Sequence, residues 1–258
     1  MSEAPRLLSP GDLTVTVNSD VAVIVMSRPA KLNALTRDMR QDLAGLLRHY
    51  GDGGQVRGVV ITGEGRAFSA GMDLREVAGP DPDLLAEMNL FNDVTRAALT
   101  AEVPVVAAIN GLAVGGACEM ALSFDARIAT AQGAISWPET SVGLTVSNAA
   151  SLFLPRLAGA SRALHLILNS ARLNASQALD IGLLDDIAEP DDLIPAAIQL
   201  IHRWTQPGSS TAAHLRLIRP PLHAVEAAME REVAAVRQVQ ESGIAQAGIA
   251  TVLTGQGK

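Results

Sequence analysis

The chain has 258 residues, of which 48% are hydrophobic and 18% charged, with a formal net charge of −7. That length supports one large core or a main domain with an appendage, and the hydrophobic content excludes a disordered chain. The acidic balance argues against a nucleic-acid surface or an anionic membrane as the main partner.

The opening stretch MSEAPRLLSPGDL carries no apolar core segment and no Arg-rich amphipathic pattern, so no secretory or transit peptide is expected. LTVTV (13–17) and VAVIVM (21–26), separated by NSD, predict a hairpin or two adjacent strands. Residues 36–50 carry Met39, Leu43, Leu46 and Leu47 at helical spacing. GVVITG (58–63) predicts a strand, then come a polar loop, a helix over 83–99, a strand in VPVVAAIN (103–110) and a short helix. Strands alternating with helices indicate an α/β core. The longest uncharged run, 103–118, is too short to cross a bilayer and is broken by Pro104 and Asn110. A single cysteine, Cys118, excludes an internal disulfide framework and fits a reducing compartment, so a cytoplasmic protein is expected.

Pro190 and the acidic EPDD mark a boundary between an α/β core (1–190) and a helical region (191–258). In that region Leu222, Val225, Met229, Val233, Val236 and Val239 form an apolar stripe. Periodicity shows a buried face but not whether the chain's own core or another subunit covers it.

The chemistry narrows by elimination. There is no phosphate loop, no H-E-x-x-H and no G-x-S-x-G elbow. The five histidines are scattered without a ligand-like pair, so no metal site is expected. Cys118 reads as a small buried hydrophobe. What remains is Glu119, closing the apolar run INGLAVGGACEM (109–120), and Glu139 in ISWPETSVG. An ionised carboxylate in such a run is either exposed or works in a cleft. Asp125, between the two, directly precedes the β-like ARIAT. Pro138 predicts that Glu139 ends an extended segment, and if the intervening chain doubles back, both glutamates face one pocket. Two glycine-containing turns, GRAFSAGMDL (65–74) and NGLAVGGACE (110–119), allow close backbone approach and present free N–H groups at a helix start.

In their order, MSRPAKLNAL (26–35), GRAFSAGMDL, VPVVAAINGLAVGGACEMALSFDARIA (103–129), WPETSVGL (137–144), LPRLAG (154–159) and ARLNASQALDIGLLDDI (171–187) resemble the enoyl-CoA hydratase/isomerase, or crotonase, family. The resemblance implies a spiral of repeated β-β-α units closed by a C-terminal helical region that assembles trimers, often stacked as hexamers. It thereby assigns the 222–239 stripe a partly intersubunit role. It implies an acyl-coenzyme A thioester substrate, an enolate-like anion held by the backbone N–H groups of Met72 and Gly116, and no cofactor beyond the coenzyme A of the substrate.

Arg28, Lys31, Leu32, Ala34, Ser69, Ala70, Gly71, Asp73 and Leu74 fall in segments that contact coenzyme A in such proteins. By the same resemblance Glu119 holds and activates water and Glu139 exchanges the proton at Cα, giving hydration of a 2-enoyl thioester. The alternatives are a Δ3,Δ2-enoyl-CoA isomerase, a hydrolase, dehydratase or lyase of the same family, or a non-catalytic acyl-CoA-binding or RNA-binding relative. One segment departs from the pattern. LTVSNAASLFL (144–154) stands where relatives carry glycines, and there Ser147 and Asn148 are expected to cap the following helix.

Overall fold

The computed structural model describes residues 7–79 and 83–255, so the part of the leader reading that concerns residues 1–6 lies outside the described residues. The hairpin is present. β1 (Leu13–Asn18) and β2 (Val21–Met26) pair antiparallel, with Asn18 opposite Val21. Ser19 and Asp20 turn the chain with φ of 48° and 63°, the left-handed pair whose twist matches the strands. α1 (Arg37–Tyr50) starts where Thr36 Oγ1 accepts the Met39 N–H at 3.2 Å.

From there one β-β-α unit recurs. β3 (Gly58–Gly63) and β4 (Ala67–Ser69) precede α2 (Leu84–Thr100), and β5 (Val105–Ile109) and β6 (Leu112–Val114) precede α3 (Gly116–Leu122). β7 (Ala126–Thr130) and β8 (Ala134–Ser136) precede α4 (Ala150–Ala158) and α5 (Ala160–Leu168). β9 (Arg172–Asn174), α6 (Ala175–Asp180) and β10 (Asp186–Ala188) complete the spiral. The first strand of each unit joins a six-stranded sheet of order β1-β2-β3-β5-β7-β10, and the second joins a four-stranded sheet of order β4-β6-β8-β9.

Strands β2, β3, β5, β7 and β10 run parallel, and β2, β3, β5 and β7 are covered on both faces, which is why VAVIVM, GVVITG and VVAAI are apolar almost throughout. Successive side chains part to opposite faces. Ile24, Ile61 and Ala107 enter the main core beneath α1 and α2, while Val23, Val60 and Val106 meet Leu193, Ala197 and Ile201 of α7 (Leu193–Trp204).

α8 (Thr211–Ile218), α9 (Leu222–Glu241) and α10 (Ile244–Leu253) end the described chain. The α9 stripe turns onto its own chain. Val225 and Met229 join the main core and Val236 packs with Val77, Leu84 and Ile249, whereas Leu222 stays 43% exposed. The central residues of the stripe are thus covered by the chain itself, while Val233 and Val239 are only partly buried. Among the described residues no helix is long and apolar enough to cross a membrane.

Candidate active site

β6 delivers the chain to α3 through Gly115, whose φ of 53° and ψ of −128° suit glycine alone. A Cβ on Gly115 would stand 2.7 Å from Glu139 Oε1, so the residue both turns the chain and makes room for the second glutamate. On the facing side Gly71, at φ 84°, presses its backbone against the same corner. A Cβ there would lie 2.7 Å from the Val114 carbonyl and 3.6 Å from the Gly116 nitrogen. Gly116 is the first residue of α3, and among the described residues neither its N–H nor that of Met72 donates a hydrogen bond within the chain.

These backbone groups border a cavity of about 270 Å³ whose walls are mostly apolar: Leu74, Leu84, Met88, Phe91, Val236 and Val252. Glu119 and Glu139 both line it, which answers why a glutamate closes an apolar run. Glu119 is 1% exposed and Glu139 6%. Glu119 Oε2 accepts the N–H of Ser147 at 2.9 Å and its hydroxyl at 2.7 Å. Glu119 Oε1, Glu139 Oε2 and Thr145 Oγ1 are buried without a hydrogen-bond partner among the described residues. A third cavity carboxylate, Glu87, is paired with Arg37 and the fully buried Arg40.

Burial lifts both catalytic candidates above the ordinary carboxylate range. For Glu119 the loss of water acts first and the nearby charges of Glu139 and Glu232 add to it, against the two Ser147 donors. Glu139 is pushed up to about 7 by burial, opposed by its own backbone N–H. Cys118, fully inside, is raised well above a normal thiol by burial and by both glutamates.

Glu139 does not end an extended segment as expected. Pro138 has φ −78° and ψ −1°, and Glu139 opens a 3-10 turn, Glu139–Val142. The proline constraint falls on the residue before it, Trp137, whereas the proline ring itself suits a helical start.

The two rim segments zip together. Leu35 N–H donates to the Gly71 carbonyl, Asp73 N–H to the Leu35 carbonyl and Ala70 N–H to the Leu32 carbonyl. Ser69, fully buried, donates its hydroxyl to the Asn33 carbonyl at 2.7 Å. Asp73 caps the turn Leu74–Val77 and takes Arg75 and Arg28; burial is the largest single influence and raises its carboxyl, but the donors and charge of the two arginines together outweigh it and hold it below its usual range. Arg28 also donates to the Ala34 carbonyl at 2.6 Å. Lys31 is exposed, Leu32 sits half-buried at φ 51° and Ala34 is buried. Ala70, Gly71, Met72 and Leu74 reach the cavity wall; Arg28, Lys31, Leu32, Ala34, Ser69 and Asp73 stand behind it.

Ser147 and Asn148 do not cap α4. A buried carboxylate from α9 does so instead: Glu232 accepts the N–H groups of Ala149 at 2.9 Å and Ser151 at 2.8 Å. Asn148 and Ala149 adopt φ of 59° and 56°, so successive N–H groups of this segment face different partners and the Ser147 and Asn148 side chains turn towards α3. The cavity walls given by α2, α9 and α10 carried no motif; their only signal was apolar helical spacing. Among the described residues no group of three or more His, Cys, Asp or Glu is arranged to hold a metal ion.

The enoyl-CoA hydratase/isomerase family profile matches residues 16–255. The chain is 34% identical to the short-chain-enoyl-CoA hydratase of Clostridium acetobutylicum over 71% of each chain. It is 32% identical to the 1,2-epoxyphenylacetyl-CoA isomerase of Escherichia coli over 74% of this chain and 75% of that one. The crystal structure of an enoyl-CoA hydratase/isomerase from Pseudoalteromonas atlantica superposes with a TM-score of 0.84 at 29% identity, covering 94% of this chain and 97% of that one.

Proposed function

Since the chain belongs to the enoyl-CoA hydratase/isomerase family, we propose that it hydrates a 2-enoyl-CoA thioester, with Glu119 and Glu139 as its acid–base pair. The observation that carries this reading is that two buried carboxylates line a single apolar cavity beside two backbone N–H groups, and among the described residues one oxygen of each carboxylate and both N–H groups have no partner. The N–H groups of Met72 and Gly116 hold the thioester oxygen as negative charge develops on it. Glu119 takes a proton from the water that adds to Cβ and Glu139 delivers a proton to Cα, so the substrate gains the elements of water, and transfer of the proton from Glu119 back to Glu139 restores the pair.

Charge on Glu139 raises Glu119 further, so the two carboxyls resist being ionised together. The paired Ser147 donors favour the charged form of Glu119, against the burial and neighbouring charges that favour its protonated form. The zipped segments 28–35 and 69–74 form the rim along which coenzyme A lies, with Lys31 the exposed cation there. The apolar walls suit an unsubstituted acyl chain.

Isomerisation of a 3-enoyl-CoA on the same site is the second reading, because Glu139 alone, with its carboxyl near 7, can move a proton between carbons. Loss of the conjugated thioester absorbance across a panel of 2-enoyl-CoA substrates tests the first reading, and its appearance from 3-enoyl-CoA tests the second. Failure to hydrate any of the panel overturns the hydratase reading.

The protein is further proposed to be a cytoplasmic homotrimer or homohexamer. Leu164 and Leu168 on one face of α5 are each 60% exposed, and Leu217 and Ile218 of α8 are 76% and 77% exposed, an uncovered apolar surface that a subunit would bury. Light scattering giving a monomer at micromolar concentration contradicts the assembly.

A further inference from the structure

We propose that Ser147 is a positioning residue that commits one oxygen of Glu119 to the protein and leaves the other, Oε1, as the oxygen that holds and deprotonates the reacting water, with Asn148 extending the same control to the Gly116 peptide. The inference rests on the hydratase reading and goes beyond it, because it comes from the contacts that Ser147 and Asn148 make in this chain.

Ser147 meets Glu119 Oε2 twice, through its N–H at 2.9 Å and its hydroxyl at 2.7 Å. The hydroxyl has one proton. Its lone pair is engaged by Asn148 Nδ2 at 3.0 Å, so that proton is directed to Glu119. Asn148 Nδ2 also donates to the Gly116 carbonyl at 3.2 Å, and its Oδ1 takes the Thr95 hydroxyl at 3.2 Å. Asn148 is fully buried and Ser147 8% exposed.

An oxygen facing two donors cannot also carry a proton without opposing them. A proton that reaches Glu119 therefore sits on Oε1, which is buried without a partner among the described residues. Asn148 ties this choice to Gly116 through its carbonyl, on the far side of the residue whose N–H is one of the oxyanion donors, so a single turn contacts both the water-holding glutamate and the oxyanion corner. The other carboxylates around Glu119 are Glu139 on its 3-10 turn, Glu232 on α9 and Glu87 on α2; among the described residues none of them donates a hydrogen bond to Glu119, and Cys118 on α3 itself is held in its neutral form by burial.

Full-length wild type, Ser147→Ala, Ser147→Thr and Asn148→Gly are compared, the glycine being chosen because it tolerates the left-handed backbone at that position. Folding is checked by circular dichroism. Carboxyl-13C-glutamate NMR, with the Glu119 signal identified through Glu119→Gln, gives the Glu119 titration midpoint independently of turnover. In Ser147→Ala the midpoint rises, the acid limb of the hydration profile moves to higher pH with it, and kcat falls roughly ten- to a hundredfold while KM stays near wild type. Ser147→Thr returns all three towards wild type. Asn148→Gly lowers kcat without a comparable change in KM.

A Ser147→Ala protein that folds and keeps both the wild-type midpoint and the wild-type kcat overturns the proposal while leaving the hydratase reading intact. A wild type that hydrates nothing, with the midpoint still moving in Ser147→Ala, removes the hydratase reading and leaves the positioning of Glu119 by Ser147 standing.

Discussion

The two walls of the cavity are built in opposite ways. On the Glu119 wall the carboxylate stands on α3 and is held by two donors from Ser147, which Asn148 holds in turn. On the other wall Glu139 rides a short 3-10 turn, and its Oε2 has no partner among the described residues. Anchoring suits a base that must keep a water in one place against Cβ; freedom and a carboxyl near 7 suit a group that gives and takes a proton at Cα. Contact with one cavity thus does not make two glutamates equivalent, and their neighbours assign the roles.

The largest effect is expected from the free wall. Glu139→Gln keeps the size of the side chain and removes its proton chemistry, so both hydration and any isomerisation should fall by about 10²- to 10⁴-fold, read as kcat on 2-enoyl- and 3-enoyl-CoA. If isomerisation survives at wild-type rate, Glu139 is not the group that serves Cα.

Next comes the corner the two walls share. Gly116→Pro deletes one N–H at a helix start that tolerates proline, and should cost roughly 3–4 kcal/mol of transition-state stabilisation. A Cβ there lies 2.8 Å from the Phe91 ring, so that ring must shift and the fold of the variant is checked by circular dichroism. A folded variant with undiminished turnover removes Gly116 from the reaction.

A smaller effect separates the walls by stability. Burial raises Glu139 from 4.5 to about 7, so the folded state binds its proton more tightly than the unfolded chain does. That contribution is complete below the unfolded value and is lost as the pH rises through about 7. Glu139→Gln should therefore gain roughly 1–3 kcal/mol relative to wild type between pH 5 and pH 8, measured by denaturant unfolding at both. An unchanged difference means that Glu139 is not carrying its proton in the fold.

Local patterns were readable from the residues because their causes are local. Thr36 starts α1, the alternating faces of β3 and β5 follow from their apolar runs, and the glycines mark tight corners: Gly71 where backbone meets backbone and Gly115 where the chain makes room for the Glu139 side chain. Both glutamates stood out because a carboxylate in an apolar run needs a reason.

Ser147 and Asn148 were misread for a non-local reason: a Ser-Asn pair before a helix looks like a cap, but Glu232, far along the chain on α9, already occupies that role. Likewise nothing near α2 announces that Leu84 and Met88 will share a cavity wall with Val236 of α9 and Val252 of α10. The turn at Pro138 was misjudged because a proline pushes its predecessor, Trp137, out of the helical region while its own ring-fixed φ suits a helical start.

The division of labour between the walls is tested most directly by assaying Glu119→Gln beside wild type on a short or medium 2-enoyl-CoA and on the corresponding 3-enoyl-CoA. Wild type is expected to hydrate the first, and Glu119→Gln to lose that hydration by at least about a hundredfold while isomerisation of the second is less affected. Hydration by Glu119→Gln at the wild-type rate would contradict the account, because the anchored glutamate would then not be the one that holds the water.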